Sequence, residues 1–251
     1  MSDLKSCLGT QYLHQTCLDR ERILSMSRPH ITPAPLYKTY PQAKTFLLPE
    51  AEHPDVDLWQ VLASRRSRRR YTDQALGLEV LSCLLWAAQG TSGRAGQLAL
   101  RTAPSAGALY PIETYVHIHR VQGLDPGIYH LNIRDWCLER LYSGQFGPQL
   151  AKACLDQRFL AQAAVNICWS GVLRRNMAKY GHRGMRYIFM DVAHICQNLL
   201  LAAEGFGLSA CPVGAYFDEE LNDLFALDGE EESIIYLASL GGRTEGECLS
   251  E

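Results

Sequence analysis

Five arginines within the seven residues Ser64–Arg70 are the strongest chemical signal in this sequence. The chain carries a formal net charge of −3, so the cluster must be stabilised locally, by solvent or by an anion. A guanidinium suits phosphate because its planar fork makes bidentate, charge-assisted hydrogen bonds. In an extended segment, alternate residues face one side, which places Arg65, Ser67 and Arg69 together. The run predicts a phosphate site; a solvated basic turn and a nucleic-acid patch are the alternatives.

Two turns made largely of small residues could lie against a flat ligand. The first is Pro104–Pro111, with the sequence PSAGALYP. The second is Pro212–Ala215, which follows a helical segment that ends in Gly207-Leu208. Small side chains allow backbone N–H and C=O groups to approach a ligand closely. A purely structural turn is the alternative in both cases.

The pair Lys179-Tyr180 is a candidate for acid–base chemistry. An amine that is desolvated beside a cofactor can take a proton from carbon, and a phenol can hold a substrate or relay the proton. An exposed pair at the end of a helix is the alternative.

Other chemistries have no supporting motif in the sequence. The nine cysteines form no CxxC pair and the histidines have no metal-ligand spacing, so no metal site is predicted. The sequence has no GxGxxG after a strand, no GxSxG and no P-loop. His194 lies inside an apolar helical pattern and is predicted to be a hydrogen-bonded core residue.

Interspersed helices and strands must position these segments. Apolar residues at helical spacing predict helices, and alternating or continuous apolar runs predict strands. The predicted helices are 58–63 (capped by Asp57), 78–89, 149–163, 186–206 and 219–226, and the predicted strands are 112–119, 127–132, 137–142, 165–169, 208–213 and 233–240. The longest helix, Arg186–Phe206, is apolar almost all round and is expected to be mostly buried. The irregular order of elements predicts one α+β domain.

Composition sets the remaining limits. Of the 251 residues, 47% are apolar and 20% are charged, as in an ordinary globular protein. Several prolines interrupt residues 1–54, which are expected to form an extended arm before a domain at 55–251, and residues 91–101 are expected to be a mobile loop. No signal peptide and no membrane span is visible. The sequence therefore predicts a cytoplasmic protein with reduced cysteines, binding neither membrane nor nucleic acid.

Taken together and in order, the motifs resemble the FMN-dependent nitroreductase superfamily. They are the arginine run after a helix, the turn Pro104–Pro111, and Gly205-x-Gly207-Leu208 leading to Pro212–Tyr216. The PSAGALYP turn, the strand Pro126–His130 and the segment Lys179–Gly184 are closer to one branch, the SagB-type dehydrogenases that oxidise azoline rings to thiazoles and related rings in modified peptides. The resemblance covers roughly residues 55–242.

The resemblance implies a nitroreductase-like α+β fold, with a mainly antiparallel central sheet flanked by helices and a long buried central helix. It also implies an FMN site that two subunits share. Arg65 and Ser67 would meet the phosphate end, Arg69 the pyrimidine edge, and the 104–107 turn the flavin of the other subunit. Backbone N–H groups of Gly214 and Ala215 would face flavin N5 and O4. The full predicted cofactor-binding set is Arg65, Arg66, Ser67, Arg69, Pro104, Ser105, Ala106, Gly107, Pro212, Val213, Gly214, Ala215 and Arg243.

By the same resemblance, Lys179 would act as base and Tyr180 as its catalytic partner while a hydride leaves for N5. The substrate would be an azoline-like ring in a peptide or small molecule, and the branch works beside a partner cyclase. An NAD(P)H-dependent nitro or quinone reductase is the alternative enzyme, in which Lys179 and Tyr180 are dispensable. A non-catalytic flavin-binding module is the alternative outside enzymes. The tail after Gly242 offers Arg243 as its one basic residue and carries three glutamates.

Overall fold

A computed structural model describes residues 4–25, 30–50, 52–96 and 98–244. Its α-helices are α1 Leu8–Gln15, α2 Arg20–Ser25, α3 Leu58–Ser64, α4 Leu78–Gln89, α5 Gly147–Ala153, α6 Phe159–Gln162, α7 Leu173–Tyr180, α8 Gly184–Gly205 and α9 Asp218–Leu224. Helix α4 has the predicted bounds. Helix α3 begins at Leu58 and is capped as predicted by Asp57, whose side chain accepts a hydrogen bond from the backbone N–H of Gln60 at 2.9 Å.

One large antiparallel sheet forms the centre of the molecule. The strands are β1 Lys44–Leu47, β2 Thr91–Ala95, β3 Leu98–Arg101, β4 Ile112–Ile118, β5 Gly127–Asn132, β6 Cys137–Ser143, β7 Val165–Val172, β8 Leu208–Val213 and β9 Glu232–Gly242. Seven of them pair in the order β1-β6-β5-β4-β7-β9-β8, and β2 and β3 form a separate hairpin. Every named strand pair is antiparallel. The predicted mainly antiparallel α+β fold is confirmed.

The central strands are buried because helices cover the sheet. All seven residues of β4 are buried, and β7 is buried over all but its last residue. Helices α4 and α8 pack against each other and their apolar residues share one core with β4 and β7. A second apolar cluster includes residues of α5, α9 and the opposite side of β4. The buried sheet therefore supports the segments that join the ends of its strands.

Helix α8 is the long helix that the sequence predicts, but one of its faces is open. Phe189 and Met190 are 50% and 52% exposed, although the helix was expected to be mostly buried. His194 lies on the same open face, so its assignment to the core is wrong. In the single described chain no element covers this side, and an apolar face left open on a central helix is typical of an interface.

Three further predictions need correction. The arm 1–54 is not simply extended: it contains α1 and α2, and its β1 pairs with β6 as an edge strand of the sheet. Within the range 91–101, which was expected to be a loop, Thr91–Ala95 and Leu98–Arg101 are the paired strands β2 and β3. The helix expected over 149–163 is interrupted, because Leu155 and Asp156 adopt left-handed backbone angles that end α5. A domain boundary at residue 55, with the domain running to 251, stays a prediction.

Candidate functional site

The arginine run lies along the outer edge of β8. Helix α3 ends at Ser64, Ser67 forms a parallel bridge with Ala210, and the N–H of Arg68 donates to the Ala210 carbonyl at 2.9 Å. The run therefore continues the sheet by one short pairing, which holds its backbone extended. The side chains of Ser67 and Arg69 remain exposed at this edge.

Arg68 and Arg243 share one carboxylate. A guanidinium N–H of each donates to Oε2 of Glu204 at 2.7 Å, and the Glu204 side chain is only 5% exposed. Arg243 also donates to the Leu208 carbonyl at 2.9 Å. The predicted phosphate ligand Arg243 is therefore held at the C-terminal end of α8, next to the arginine run.

The second predicted contact, Pro212–Ala215, comprises the last two residues of β8 and the two residues that follow it. Gly214 and Ala215 are exposed there, and Gln157 Nε2 donates to the Ala215 carbonyl at 3.0 Å. Burial raises the pKa of the Cys211 thiol, and the charge of Arg69 acts in the opposite direction. The positive charge of Arg69 therefore acts on Cys211, the strand residue just before the turn. The phosphate end and the flavin-ring end of the predicted cofactor site lie on one edge of the sheet.

The turn Pro104–Pro111 is anchored to the middle of α8. Ser105 Oγ donates to Asp191 Oδ2 at 2.6 Å, and the N–H of Ala106 donates to Asp191 Oδ1 at 3.3 Å. Burial raises the pKa of Asp191, although these two hydrogen bonds favour its charged form. Within the turn, Tyr110 N–H donates to Ser105 Oγ at 2.9 Å. Tyr110 has a left-handed φ of 44°, which is strained for a non-glycine residue and needs such contacts to persist.

Lys179 and Tyr180 form the C-terminal end of α7 and lie against this turn. A Cβ built on Gly107 would be 2.7 Å from Lys179 Nζ and 2.4 Å from Tyr180 Oη. Lys179 Nζ lies 5.2 Å from the centroid of the Tyr180 ring, and that ring packs edge-on against Tyr187 at 4.8 Å. Lys179 is exposed in the single chain. The tertiary structure thus brings together the small-residue turn and the Lys-Tyr pair, which are about 70 residues apart in sequence.

A buried polar network beneath this contact was not predicted. Arg175 on α7 forms an ion pair with Glu113, and His130 lies between Glu113 and Glu139 at 3.0 and 2.9 Å. Burial by itself lowers the pKa of His130, but the hydrogen bonds to both carboxylates outweigh burial and raise it. The signal for this network was the presence of Glu113 and His130 on inward positions of otherwise apolar strands.

The N-terminal helix α1 was also not expected at this location. Arg183 Nη1 donates to the Thr16 carbonyl at 2.7 Å, and Arg186 Nη2 donates to the Leu13 carbonyl at 2.6 Å. Arg183 also donates to the hydroxyl of Tyr187, which packs on Tyr180. The C-terminal end of α1 therefore packs beside the Lys179-Tyr180 end of the site.

The predicted site residues form two separate groups in one chain. The arginine run meets α8 at Glu204, and the 104–107 turn meets it at Asp191, thirteen residues earlier. That separation is roughly 20 Å along a helix axis. The first turn precedes β4 and the second follows β8. Strands β7 and β9 lie between β4 and β8, so the two turns are roughly 14 Å apart across the sheet. None of the three described clefts, of about 350, 440 and 660 Å³, is lined by a predicted site residue; they lie beside Cys83, Tyr40 and Trp136, respectively.

Comparisons with known proteins match most of the chain to one protein family. The Nitroreductase family matches residues 62–242. MJ1384 of Methanocaldococcus jannaschii, described as a nitroreductase, is 35% identical over 78% of this chain and 98% of its own length. The trifolitoxin-processing protein TfxB of Rhizobium leguminosarum bv. trifolii is 27% identical over 64% of this chain, and the match spans 46% of TfxB.

Two solved structures share the fold. An Anabaena variabilis protein described as a nitroreductase matches 94% of this chain with a TM-score of 0.77 and 27% identity, and the match spans 47% of that longer protein. A chain of the Escherichia coli microcin synthetase McbBCD complex with truncated pro-MccB17 bound matches 95% of this chain and 92% of its own length, with a TM-score of 0.62 and 19% identity. At that identity the second likeness shows the fold alone. None of the helices in the described part of the chain is long and apolar enough to cross a membrane.

Proposed function

Because the chain belongs to the nitroreductase family of oxidoreductases, we propose that it is an FMN-dependent dehydrogenase of the SagB type, which oxidises azoline-like rings in a peptide or small molecule. The contact of Gly107 with Lys179 and Tyr180 carries this proposal. It places an amine and a phenol at the turn that would touch the flavin. A nitroreductase without this chemistry has no need of the pair.

The residues at the β8 edge fit FMN. Arg65, Ser67 and Arg69 offer charge-assisted and neutral donors to a phosphate, and the pairing of Ser67 with Ala210 keeps that segment beside β8. Gly214 and Ala215 are exposed at the end of the same strand, where a flat ring can approach the backbone. Pro212, Val213 and Arg66 flank these contacts. When bound, FMN supplies the hydride acceptor at N5.

The two groups of site residues support a homodimer. One chain cannot bring its own 104–107 turn to a ligand at its β8 edge across roughly 14 Å of sheet. A second copy packed on the open face of α8, around Phe189 and Met190, could present its own turn and Lys-Tyr pair to that edge. FMN would then lie between the subunits, and the exposed Lys179 would become desolvated.

The chain's own groups would move one proton. As the substrate ring loses a hydride to the cofactor, the Lys179 side chain would take the proton from the neighbouring ring atom, so that the ring loses one hydride and one proton and its charge is unchanged. Tyr180, held edge-on by Tyr187 at 4.8 Å, would orient the ring or relay the proton. The fixed turn beneath both side chains would keep them at reacting distance.

The substrate class and the partner rest on likenesses to other proteins. TfxB is named for trifolitoxin processing, and the McbBCD complex is a synthetase with a pro-peptide bound. The name of TfxB supports a processed peptide as the substrate of this chain. The McbBCD likeness adds only that the fold occurs in a synthetase complex, so the proposed partner cyclase rests on the SagB-type resemblance of the motifs. We also propose a cytoplasmic location, because the six buried cysteines in the described part of the chain are free thiols, as expected in a reducing compartment.

A second candidate function is an NAD(P)H-dependent nitro or quinone reductase. The 35% identity to MJ1384, over nearly its whole length, favours this reading. A non-catalytic flavin-binding module is a third possibility, and it differs from both enzymes because it binds FMN but transfers no electrons.

An anaerobic single-turnover experiment separates these functions. The purified protein, loaded with FMN, is mixed with a synthetic peptide that carries one thiazoline ring. We expect bleaching of the flavin absorbance and loss of two hydrogens from the peptide by mass spectrometry. Lys179→Ala should reduce both to a slow residual rate and keep its FMN, whereas Lys152→Ala on α5 should react like the unmodified protein. Bleaching by NADPH alone, unchanged in Lys179→Ala, would identify the reductase instead.

A further inference from the structure

Arg175 is a buried arginine on α7, one helical turn before Lys179. Its side chain is only 4% exposed. It donates from Nε to the Pro35 carbonyl at 2.7 Å, from Nη1 to the Tyr110 carbonyl at 3.0 Å, and from Nη2 to the carboxylate of Glu113. These acceptors lie on three segments: the N-terminal arm, the small-residue turn and strand β4. One guanidinium therefore fixes α7 to all three.

The contact with Tyr110 reaches the turn that packs against the catalytic pair. Tyr110 has its strained φ of 44°, its N–H is held by Ser105 Oγ, and its carbonyl is held by Arg175. Three residues earlier in the same turn, Gly107 lies against Lys179 and Tyr180. Arg175 thus holds both sides of that contact: the helix that carries the pair and the turn on which the pair rests.

The carboxylate that receives Arg175 is itself immobilised. Glu113 accepts from His130, and His130 also contacts Glu139, which accepts from Asn132 at 3.0 Å. All of these groups are buried. Removing one partner from a buried charged network leaves an uncompensated charge, so moving the Arg175 guanidinium away from Glu113 is costly. The position of the Arg175 guanidinium is therefore set by the core of the sheet and not by solvent.

We propose that Arg175 is a positioning residue, which sets the distance between the Lys179-Tyr180 pair and the Gly107 turn and so the reactivity of Lys179. The proposal rests on the proposed function, in which Lys179 takes the proton. A lysine at position 175 keeps the positive charge for Glu113, but its single nitrogen cannot reach three acceptors on three segments. Misplacement of a catalytic group by about 1 Å can lower the rate about 100-fold.

The test compares Arg175→Lys with Arg174→Lys. Arg174 is the adjacent residue on the same helix, but it is exposed and pairs with Glu231 at the surface. In single turnovers with the thiazoline peptide, Arg175→Lys should lower the limiting rate of flavin bleaching about 100-fold. The half-saturating peptide concentration and the FMN content should stay unchanged. Arg174→Lys should match the unmodified protein.

A double variant shows whether Arg175 acts through Lys179. In a Lys179→Ala background, Arg175→Lys should cause no further loss of rate, because the group that it positions is already absent. Independent, multiplying losses would overturn the proposal, and so would an unchanged rate in Arg175→Lys alone.

Hydrogen exchange provides a measurement that needs no substrate. Amides of Leu173–Tyr180 should exchange faster in Arg175→Lys than in Arg174→Lys, at equal overall stability. If the unmodified protein does not react with the peptide, the proposed function fails. The exchange result then still decides whether Arg175 fixes α7: equal exchange in the two variants would overturn the positioning role.

Discussion

Gly107 and Tyr180 are in direct contact: a Cβ on Gly107 would lie 2.4 Å from the Tyr180 hydroxyl oxygen, closer than any real Cβ contact. Gly107 also has a φ of 65°, in the left-handed region that favours glycine. The backbone angle favours glycine at this position, and an added Cβ would displace the ends of the Tyr180 and Lys179 side chains. The fit of the turn to the Lys179-Tyr180 pair depends on the missing side chain.

Substitution of Gly107 by alanine should displace the pair. We expect Gly107→Ala to abolish single-turnover oxidation of the thiazoline peptide, because the ends of the Lys179 and Tyr180 side chains must move. The free energy of unfolding should fall by roughly the 1 kcal/mol that a left-handed alanine costs. The matched control is Gly96→Ala, since Gly96 has a φ of 62° and a Cβ added there would have nothing within 4 Å. Equal effects of the two substitutions on the oxidation would mean that the contact with Tyr180 has no consequence.

Removal of arginines at the β8 edge should weaken FMN binding. A charge-assisted hydrogen bond contributes about 1.5–3 kcal/mol, so Arg65→Ala and Arg69→Ala should each raise the dissociation constant roughly 10- to 100-fold. Quenching of flavin fluorescence on titration with the apoprotein measures this constant. Arg134→Ala, at an exposed ion pair with Asp135, serves as control. Full FMN affinity in both edge variants would place the phosphate elsewhere.

A charge on the open face of α8 should separate the subunits. We expect Met190→Glu to convert a dimer to a monomer in sedimentation velocity and to release FMN, because an unpaired carboxylate would be buried at the interface. Leu47→Glu introduces the same charge on the exposed edge strand β1 and should leave the dimer intact. A dimer that survives Met190→Glu with FMN bound would refute the proposed interface.

Two buried histidines should give opposite pH dependences of stability. The pKa of His130 is raised, since its two carboxylates outweigh burial, so its contribution is full below the unfolded pKa of about 6.5 and is lost as pH rises through the folded value. Burial, with the charge of His119 adding to it, lowers the pKa of His117 to about 4. The contribution of His117, of the order of 3 kcal/mol, is therefore present above pH ~6.5 and is lost toward pH ~4.

Chemical denaturation between about pH 5 and 9 checks both histidines. The loss of stability in His130→Gln should shrink as pH rises, and the loss in His117→Gln should shrink as pH falls. Each variant is the control for the other, because both positions are buried in the same sheet. Parallel pH profiles of the two variants would contradict the charge states assigned here.

Neutralising Glu204 should destabilise the β8 edge. Glu204→Gln keeps the shape but removes the carboxylate that Arg68 and Arg243 share, so we expect the free energy of unfolding to fall by about 2 kcal/mol. Glu220→Gln, on the exposed side of α9, should change it by less than about 0.5 kcal/mol. If Glu204→Gln were as stable as the control, solvent would fully compensate for the loss of the two ion pairs of Glu204 with Arg68 and Arg243.

The sequence by itself determined several of the elements after residue 55 and the order of their motifs. Helix α4, strand β5 and strand β8 have the predicted bounds, because their apolar spacing and flanking glycines are local signals. The motifs from Arg65 to Ala215 were enough to predict the family from the sequence. Each motif reflects a local backbone requirement: an extended basic segment, a small-residue turn and a Gly-Leu helix ending. The ligands within those motifs stay predictions.

Only the tertiary structure decided which of these residues meet. No local pattern could show that Gly107 contacts Tyr180, that Glu204 binds both Arg68 and Arg243, or that His194 is exposed. The network of Arg175, Glu113 and His130 also joins residues that are far apart in the chain. Such contacts depend on the register of the sheet and on helix packing. Both result from many weak interactions between residues that are far apart in the sequence. Helical spacing reports which face of α8 is apolar, but not whether a neighbour within the chain or a second subunit covers it.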